Sequence, residues 1–193
     1  MPPNRQHIDR AEKIALILDA AEDLLLSDGY ELTTMAAIAR AAGVASNSIY
    51  WYFAGKDELL AAVLRRRLER AVTTADADSE QPVLARAMSA LTELDEVAKL
   101  TTTVHERARH SPAVAAVHQD FHEALSGRAA AAFRSAGVAD ADAEMAAAAI
   151  IAVIEGIHLH EPARDPDTRN HLVGWLIQRL ISPSRSVDRV ERS

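Results

Sequence analysis

Apolar residues at Ile14, Ile17, Leu18, Ala21 and Leu25 recur with the period of one helix face, which predicts a helix from about Asp9 to Ser27. Asp28-Gly29 should end it, with Tyr30 and Leu32 folding back. Thr33 and Thr34 are N-cap residue types ahead of a short run in which Met35, Ile38 and Ala39 share a face. Arg40-Ala41-Ala42 completes that run, Gly43 suits the positive φ that closes a helix, and Val44 returns to the core. A second helix is expected to start with the small polar stretch Ala45-Ser46-Asn47-Ser48 and to be anchored by Ile49 and Phe53, four apart. Short helix, glycine turn, short helix is a helix-turn-helix pattern.

The rest of the chain also reads as helices. Lys56-Asp57-Glu58 opens one that buries Leu59, Leu60, Val63, Leu64 and Leu68 and runs to about Thr73. The polar break from Ala75 to Gln81 precedes Pro82, a plausible first helical residue, and a long helix from Val83 to Arg109 in which Thr101-Thr102-Thr103 marks a kink or break. Ser111-Pro112 opens a helix that Gly137 closes, and Asp140 begins an alanine-rich one ending near His160. Asp167 or Thr168 caps a last helix carrying Leu172, Val173, Leu176, Ile177, Leu180 and Ile181, which Ser182-Pro183 stops. No strand-like alternation competes, so the expected fold class is all-α. The expected division is a helix-turn-helix domain over 1–56, a connecting helix over 57–74, a helical ligand-binding and dimerisation domain over 75–182, and a disordered tail over 183–193.

Composition narrows the chemistry. The 193 residues include no cysteine, which fits a reducing compartment and excludes a disulfide framework. No secretory pattern follows Pro2-Pro3, and the longest apolar run, Met145 to Ile154, is too short to span a bilayer, so a soluble cytoplasmic protein with no membrane partner is expected. Nucleophile elbows, phosphate loops and dinucleotide fingerprints are missing from the sequence, so neither catalysis nor a cofactor is expected. The net charge of −7 sits awkwardly with nucleic acid, but binding depends on where charge lies. Arg5, Arg10, Lys13, Arg40 and Lys56 can share one side of the first domain, with Asp19, Glu22 and Asp23 facing away. Arg65, Arg66, Arg67 and Arg70 read as a solvated face, several turns from Lys56.

Four consecutive aromatics, Tyr50 to Phe53, cannot all be buried by one short helix, so some must point outward. Thr34 at a helix N-terminus offers a hydroxyl and backbone N–H groups to a phosphate, Tyr50 and Trp51 offer polar tips on apolar bodies, and Lys56 supplies a point charge. With Gly29-Tyr30, Thr33-Thr34, Ala39 through Gly43-Val44, Ile49 to Phe53 and Lys56-Asp57-Glu58-Leu59-Leu60 in order and at intact spacing, the first third of the chain resembles the DNA-binding domain of the TetR/AcrR family of transcriptional regulators. The resemblance implies that Thr34, Tyr50, Trp51 and Lys56 touch the DNA backbone, that Ser46 and Asn47 read bases, and that Ser48 lies closer to phosphate. Asn can bond an adenine edge bidentately, whereas Ser is permissive. Met35 stands where some relatives carry a base-reading arginine, so any contact there would be apolar.

The last two helices are apolar on more than one face, and a symmetric four-helix interface would cover them. The resemblance implies the same homodimer, a double-stranded near-palindromic operator, and a small-molecule effector that enters the helical domain and releases the DNA. Met88, Leu91, Leu94, Thr102, His105, Phe121, His122 and Leu125 are the candidate lining residues, and they favour a largely apolar effector. The competing reading is a helical metal-binding protein or metal sensor. His118 and His122 stand one turn apart on a helix, with His105, His110, His158, His160, Glu155 and Glu161 available as further ligands.

Overall fold

The computed structural model describes residues 9–77, 81–82, 85, 100–160 and 165–182, and among these the chain is all-α. It divides into two compact units, Met1–Ala77 with Thr92–Glu123, and Asp78–Leu91 with Ala124–Ser193. That partition groups the helix containing His105 and the start of the next with the N-terminal helices.

The first unit begins with α1 (Arg10–Ser27), capped by the Asp9 carboxylate. A short α2 (Gly29–Leu32) follows, made possible by Gly29 at φ 81°. Tyr30 is buried as expected, but Leu32 does not fold back: it is 77% exposed, because the four-residue helix turns it to the outside. In α3 (Met35–Ala41), Thr34 is the cap, its hydroxyl accepting from Ala37 N at 3.1 Å. Thr33 is buried instead, its hydroxyl donating to Gly29 O at 2.7 Å. The close of α3 has the two-bond pattern that a left-handed residue permits. Val44 N donates to Ala39 O at 2.9 Å and Gly43 N to Arg40 O at 3.2 Å, with Gly43 at φ 67°.

The predicted second helix is not an α-helix. Residues 46–48 form turns that lead into a 3-10 helix over Ile49–Trp51. Its bonds run three residues back: Ser48 N to Ala45 O at 2.8 Å, Trp51 N to Ser48 O at 3.1 Å and Tyr52 N to Ile49 O at 3.0 Å. Ser, Asn and Ser at its start favour turns over helix interior, and Gly55 and Lys56 begin the next element too soon for it to lengthen. The long α4 is Lys56–Ala77. A fifth helix, α5, is described over residues 100–108, and α6 is Pro112–Ser135. Ile17, Leu25, Ile38, Ile49, Leu59, Leu60, Val63, Leu100, Val114 and Val117 form one core in this unit. Each fully buried side chain of this size contributes about 1.5–3 kcal/mol, so the three short elements between α1 and α4 owe their stability to this core and not to their own length.

In the second unit, α7 (Asp140–His160) packs on α8 (Pro166–Ile181). Gly137 at φ 90° closes α6, with Val138 N donating to Phe133 O at 3.1 Å. The cap of α8 is Asp165, whose carboxylate accepts from Thr168 N, so Pro166 takes the first helical position and neither Asp167 nor Thr168 is the cap. Although its uninterrupted apolar run is short, α7 as a whole is long and apolar enough to cross a membrane by length and composition. Here one face carries Ala143, Ala146, Ala147, Ile150, Ile151, Ile154 and Ile157 into the core.

Of the four α4 arginines, Arg65 is exposed as a solvated face would have it, but the other three are drawn to one acid. Glu22, buried on α1, accepts from Arg66 Nη2 at 2.5 Å, Arg67 Nε at 2.7 Å and Arg70 Nη2 at 2.7 Å. Burial works to raise the Glu22 pKa, but the hydrogen bonds of Arg66 and Arg70 and the charge of Arg67 outweigh it and hold the carboxylate below its usual range. Three cations converging on one acid lock α4 against α1, so Glu22 does not simply face away.

Candidate nucleic-acid interface

The turn from Ser46 to Trp51 separates its side chains sharply. Ile49 is fully buried, whereas Tyr50 is 55% exposed and Trp51 83% exposed. Ser46 and Asn47 are exposed and Ser48 is half-buried. Thr34 is exposed at the N-terminus of α3, and Arg40 is exposed at its other end. Met35 lies in the core beside Ile38 and Ala39, where packing accounts for it. Arg5 lies outside the described residues. The backbone bonds of the turn hold the exposed residues Ser46, Asn47 and Tyr50 on a ledge anchored by the buried Ile49. A tight ledge with short polar side chains and two outward aromatic rings can approach a grooved polyanion closely.

Beneath the ledge lies a polar buttress. Lys56 Nζ donates to Tyr30 O at 2.7 Å and to Thr33 O at 3.1 Å, closing the C-terminal carbonyls of α2, and sits 4.0 Å from the Tyr30 ring centroid. Lys56 is therefore a positioning residue first, with one N–H left to reach outward. The Tyr30 hydroxyl donates to Asp57 Oδ1. Arg107 on α5 grips the same carboxylate with both arms of its fork, Nε reaching Oδ1 at 2.9 Å and Nη2 bonding Oδ2. These bonds, Arg107's above all, hold Asp57 below the usual carboxylate range. Burial, followed by the Asp57 bond and charge, pushes the Tyr30 phenol up to about 12. Glu58 Oε2 accepts from Ala54 N at 2.8 Å and ties down the chain just before α4. Nothing in the sequence near Asp57 points to Arg107, because an arginine fifty positions away carries no local signal of a partner.

Of the expected effector-lining residues, Met88, Leu91 and Leu94 lie outside the described residues. Thr102 is exposed, while His105, Phe121, His122 and Leu125 are half-buried. His105 and His122 do come together, around His118. His118 Nε2 is 3.4 Å from His105 Nε2 and 3.1 Å from His122 Nε2. Burial first, then the neighbouring His122 and His105, lowers the His118 pKa to about 4. Of the other candidate histidine ligands, His110 is exposed, and His158, in the second unit, is buried with Nδ1 at 2.9 Å from Ile154 O.

Comparison with known proteins fits this geometry. The family described as "Bacterial regulatory proteins, tetR family" matches residues 17–63, and the one described as "BetI-type transcriptional repressor, C-terminal" matches residues 83–181. The HTH-type transcriptional regulator SrpR of Pseudomonas putida is 45% identical over 51 residues, 26% of this chain and 24% of that protein. The fatty acid metabolism regulator protein of Bacillus subtilis is 29% identical over 79 residues, 41% of each chain. The chain thus spans less than half the length of the curated relatives it matches. A TetR transcription regulator from Haloarcula marismortui shares the fold at TM-score 0.71 and 23% identity, over 89% of this chain and 97% of that one.

Proposed function

The chain belongs to the TetR family of transcriptional regulators, and on that premise we propose that it binds a near-palindromic DNA operator as a homodimer, acting as a repressor that a small molecule releases. The observation that carries this reading is the exposed ledge Ser46–Trp51, with 83% of Trp51 open to solvent on a turn whose Ile49 is fully buried. Ser46 and Asn47 read base edges; Thr34, Ser48, Tyr50 and Trp51 hold the backbone, and Lys56 contributes its remaining N–H. Met35 takes no part. The protein is not an enzyme, and it works in the cytoplasm, where its operator is.

A single head meets one half-site. Two heads need a dimer, and α7 and α8 offer the surface for it. Met145 is 72% exposed and Trp175 51% exposed, and Ala148, Ala149 and Ala152 are exposed on α7, small enough for close helix approach. The effector is largely apolar. Residues 78–193 hold only Phe121, Phe133 and Trp175 as aromatics, too few for the cage that a quaternary ammonium group prefers. A relative named for fatty acid metabolism is in keeping with an apolar effector. Effector control has a route to the ledge, since α5 holds Asp57 through Arg107 and Asp57 holds Tyr30. An effector that moves α5 shifts the equilibrium only as far as it prefers the displaced state.

Selection of bound duplexes from a random DNA pool tests the reading. Recovery of an inverted repeat with half-sites one helical turn apart, about 34–36 Å, is expected; failure of the folded protein to enrich any site would contradict it. Because Glu22 engages Arg66, Arg67 and Arg70, few cations remain for phosphate. The salt dependence should therefore be modest, at about 0.9 logarithmic units per phosphate neutralised.

A further inference from the structure

We infer that His105, His118 and His122 form a binding site for a divalent first-row transition ion of the class imidazole prefers, such as Zn2+, bridging α5 to α6. The three side chains converge through ring nitrogens that all lie within 4.8 Å of one another. Two edges are 3.1 and 3.4 Å, between Nε2 atoms. Metal–nitrogen bonds of about 2.0–2.1 Å at tetrahedral angles place neighbouring nitrogens roughly 3.3 Å apart, so those edges already have the length of a coordination polyhedron. The rings also meet edge to face, at 76° for His105 with His118 and 68° for His118 with His122, instead of stacking.

The tautomer is set correctly at one corner. His105 Nδ1 lies 2.9 Å from Thr101 O, and since a carbonyl only accepts, Nδ1 carries the proton and Nε2 keeps its lone pair facing the cluster. An Nε2–H on His118 can serve only one of its two neighbours, His105 or His122, at a time. A cation satisfies all three. All three histidines are half-buried, which leaves an ion a way in, and three protein ligands leave a position for a further donor.

The regulatory consequence rests on the operator-binding reading. His105 is two residues from Arg107 on α5, so an ion that fastens α5 to α6 acts on the helix that holds Asp57 beneath the ledge. The untagged full chain, stripped with EDTA, is titrated with Co2+ and competed with Zn2+. One ion per chain is expected, with a visible absorption band that Zn2+ removes. His118→Ala and His105→Gln should abolish it, and His171→Ala, at an exposed site, should leave it intact. No saturable band, or a band that survives His118→Ala with an unchanged helical circular dichroism spectrum, overturns the site. Should the variants fail to fold, imidazole nitrogen resonances of the wild-type chain decide. Zn2+ should shift His105, His118 and His122, and shifts confined to other histidines overturn the site. Operator affinity is then measured with and without Zn2+. An unchanged affinity overturns the regulatory consequence and leaves the metal site standing, whereas a protein that binds Co2+ but selects no DNA means the operator reading itself has failed.

Discussion

The ledge and its buttress are built from similar residues and put to opposite uses. Both combine aromatic rings with polar groups, yet in the buttress Tyr30, Lys56, Asp57 and Arg107 bond to one another or to nearby carbonyls, while the ledge turns Asn47, Tyr50 and Trp51 to solvent. Ile49 and Tyr50, adjacent in sequence, fall on opposite sides of that divide. A tyrosine or a lysine in this head therefore tells little by its type. What matters is whether its polar atoms are already answered within the fold, because an unanswered, exposed aromatic surface is the part left for a partner.

If that contrast is right, substitutions below the ledge should cost stability and those on it should cost binding. The largest loss of stability is expected for Ile49→Ala, about 2–4 kcal/mol by urea denaturation, because its side chain is fully buried under the ledge. Glu22→Ala should come next. Removing one partner of a buried ion pair costs about 3–5 kcal/mol, and water around the half-exposed Arg70 should reduce this to about 2. Lys56→Met keeps the bulk but frees two carbonyls. A loss of about 1 kcal/mol is expected, together with weaker operator binding from a displaced ledge. Trp51→Ala should change stability by less than about 0.5 kcal/mol while weakening DNA binding, and a large stability loss there would erase the contrast.

Acid titration sharpens the comparison from the buttress side. Glu22 and Asp57 have folded pKa values below their ordinary 4.5 and 3.8, so the unfolded chain takes up protons first as pH falls. Their contribution is whole above the ordinary values and disappears as pH drops through the lowered folded ones. Thermal unfolding should show a fall in Tm beginning near pH 4.5, and Glu22→Gln should flatten the part of that fall due to Glu22.

Much of the head was legible because its cues are local. Gly43 and Gly137 take the positive φ their positions suggested, and Thr34 caps α3. The recognition element is not legible in kind, since helical spacing of Ile49 and Phe53 cannot distinguish an α-helix from turns followed by a 3-10 segment. Met35, whose apolar pattern with Ile38 and Ala39 predicts a shared buried face, does lie in the core. Long-range charge pairing was the least legible. Nothing near Glu22 in sequence announces Arg66, Arg67 and Arg70, and only the packing of α4 on α1 brings them together. His118 and His122 were visible as an i, i+4 pair, but the choice of His105 as third member required α5 to lie beside α6.

The central claim is that the exposed ledge reads DNA while the buttress only holds it. The most direct measurement is the affinity of a Tyr50→Ala/Trp51→Ala variant for the selected operator, taken beside its thermal unfolding curve. The account predicts an affinity loss of at least about tenfold, equivalent to roughly 1.4 kcal/mol, at an unchanged Tm. Wild-type affinity in that variant, with the fold intact, would contradict it.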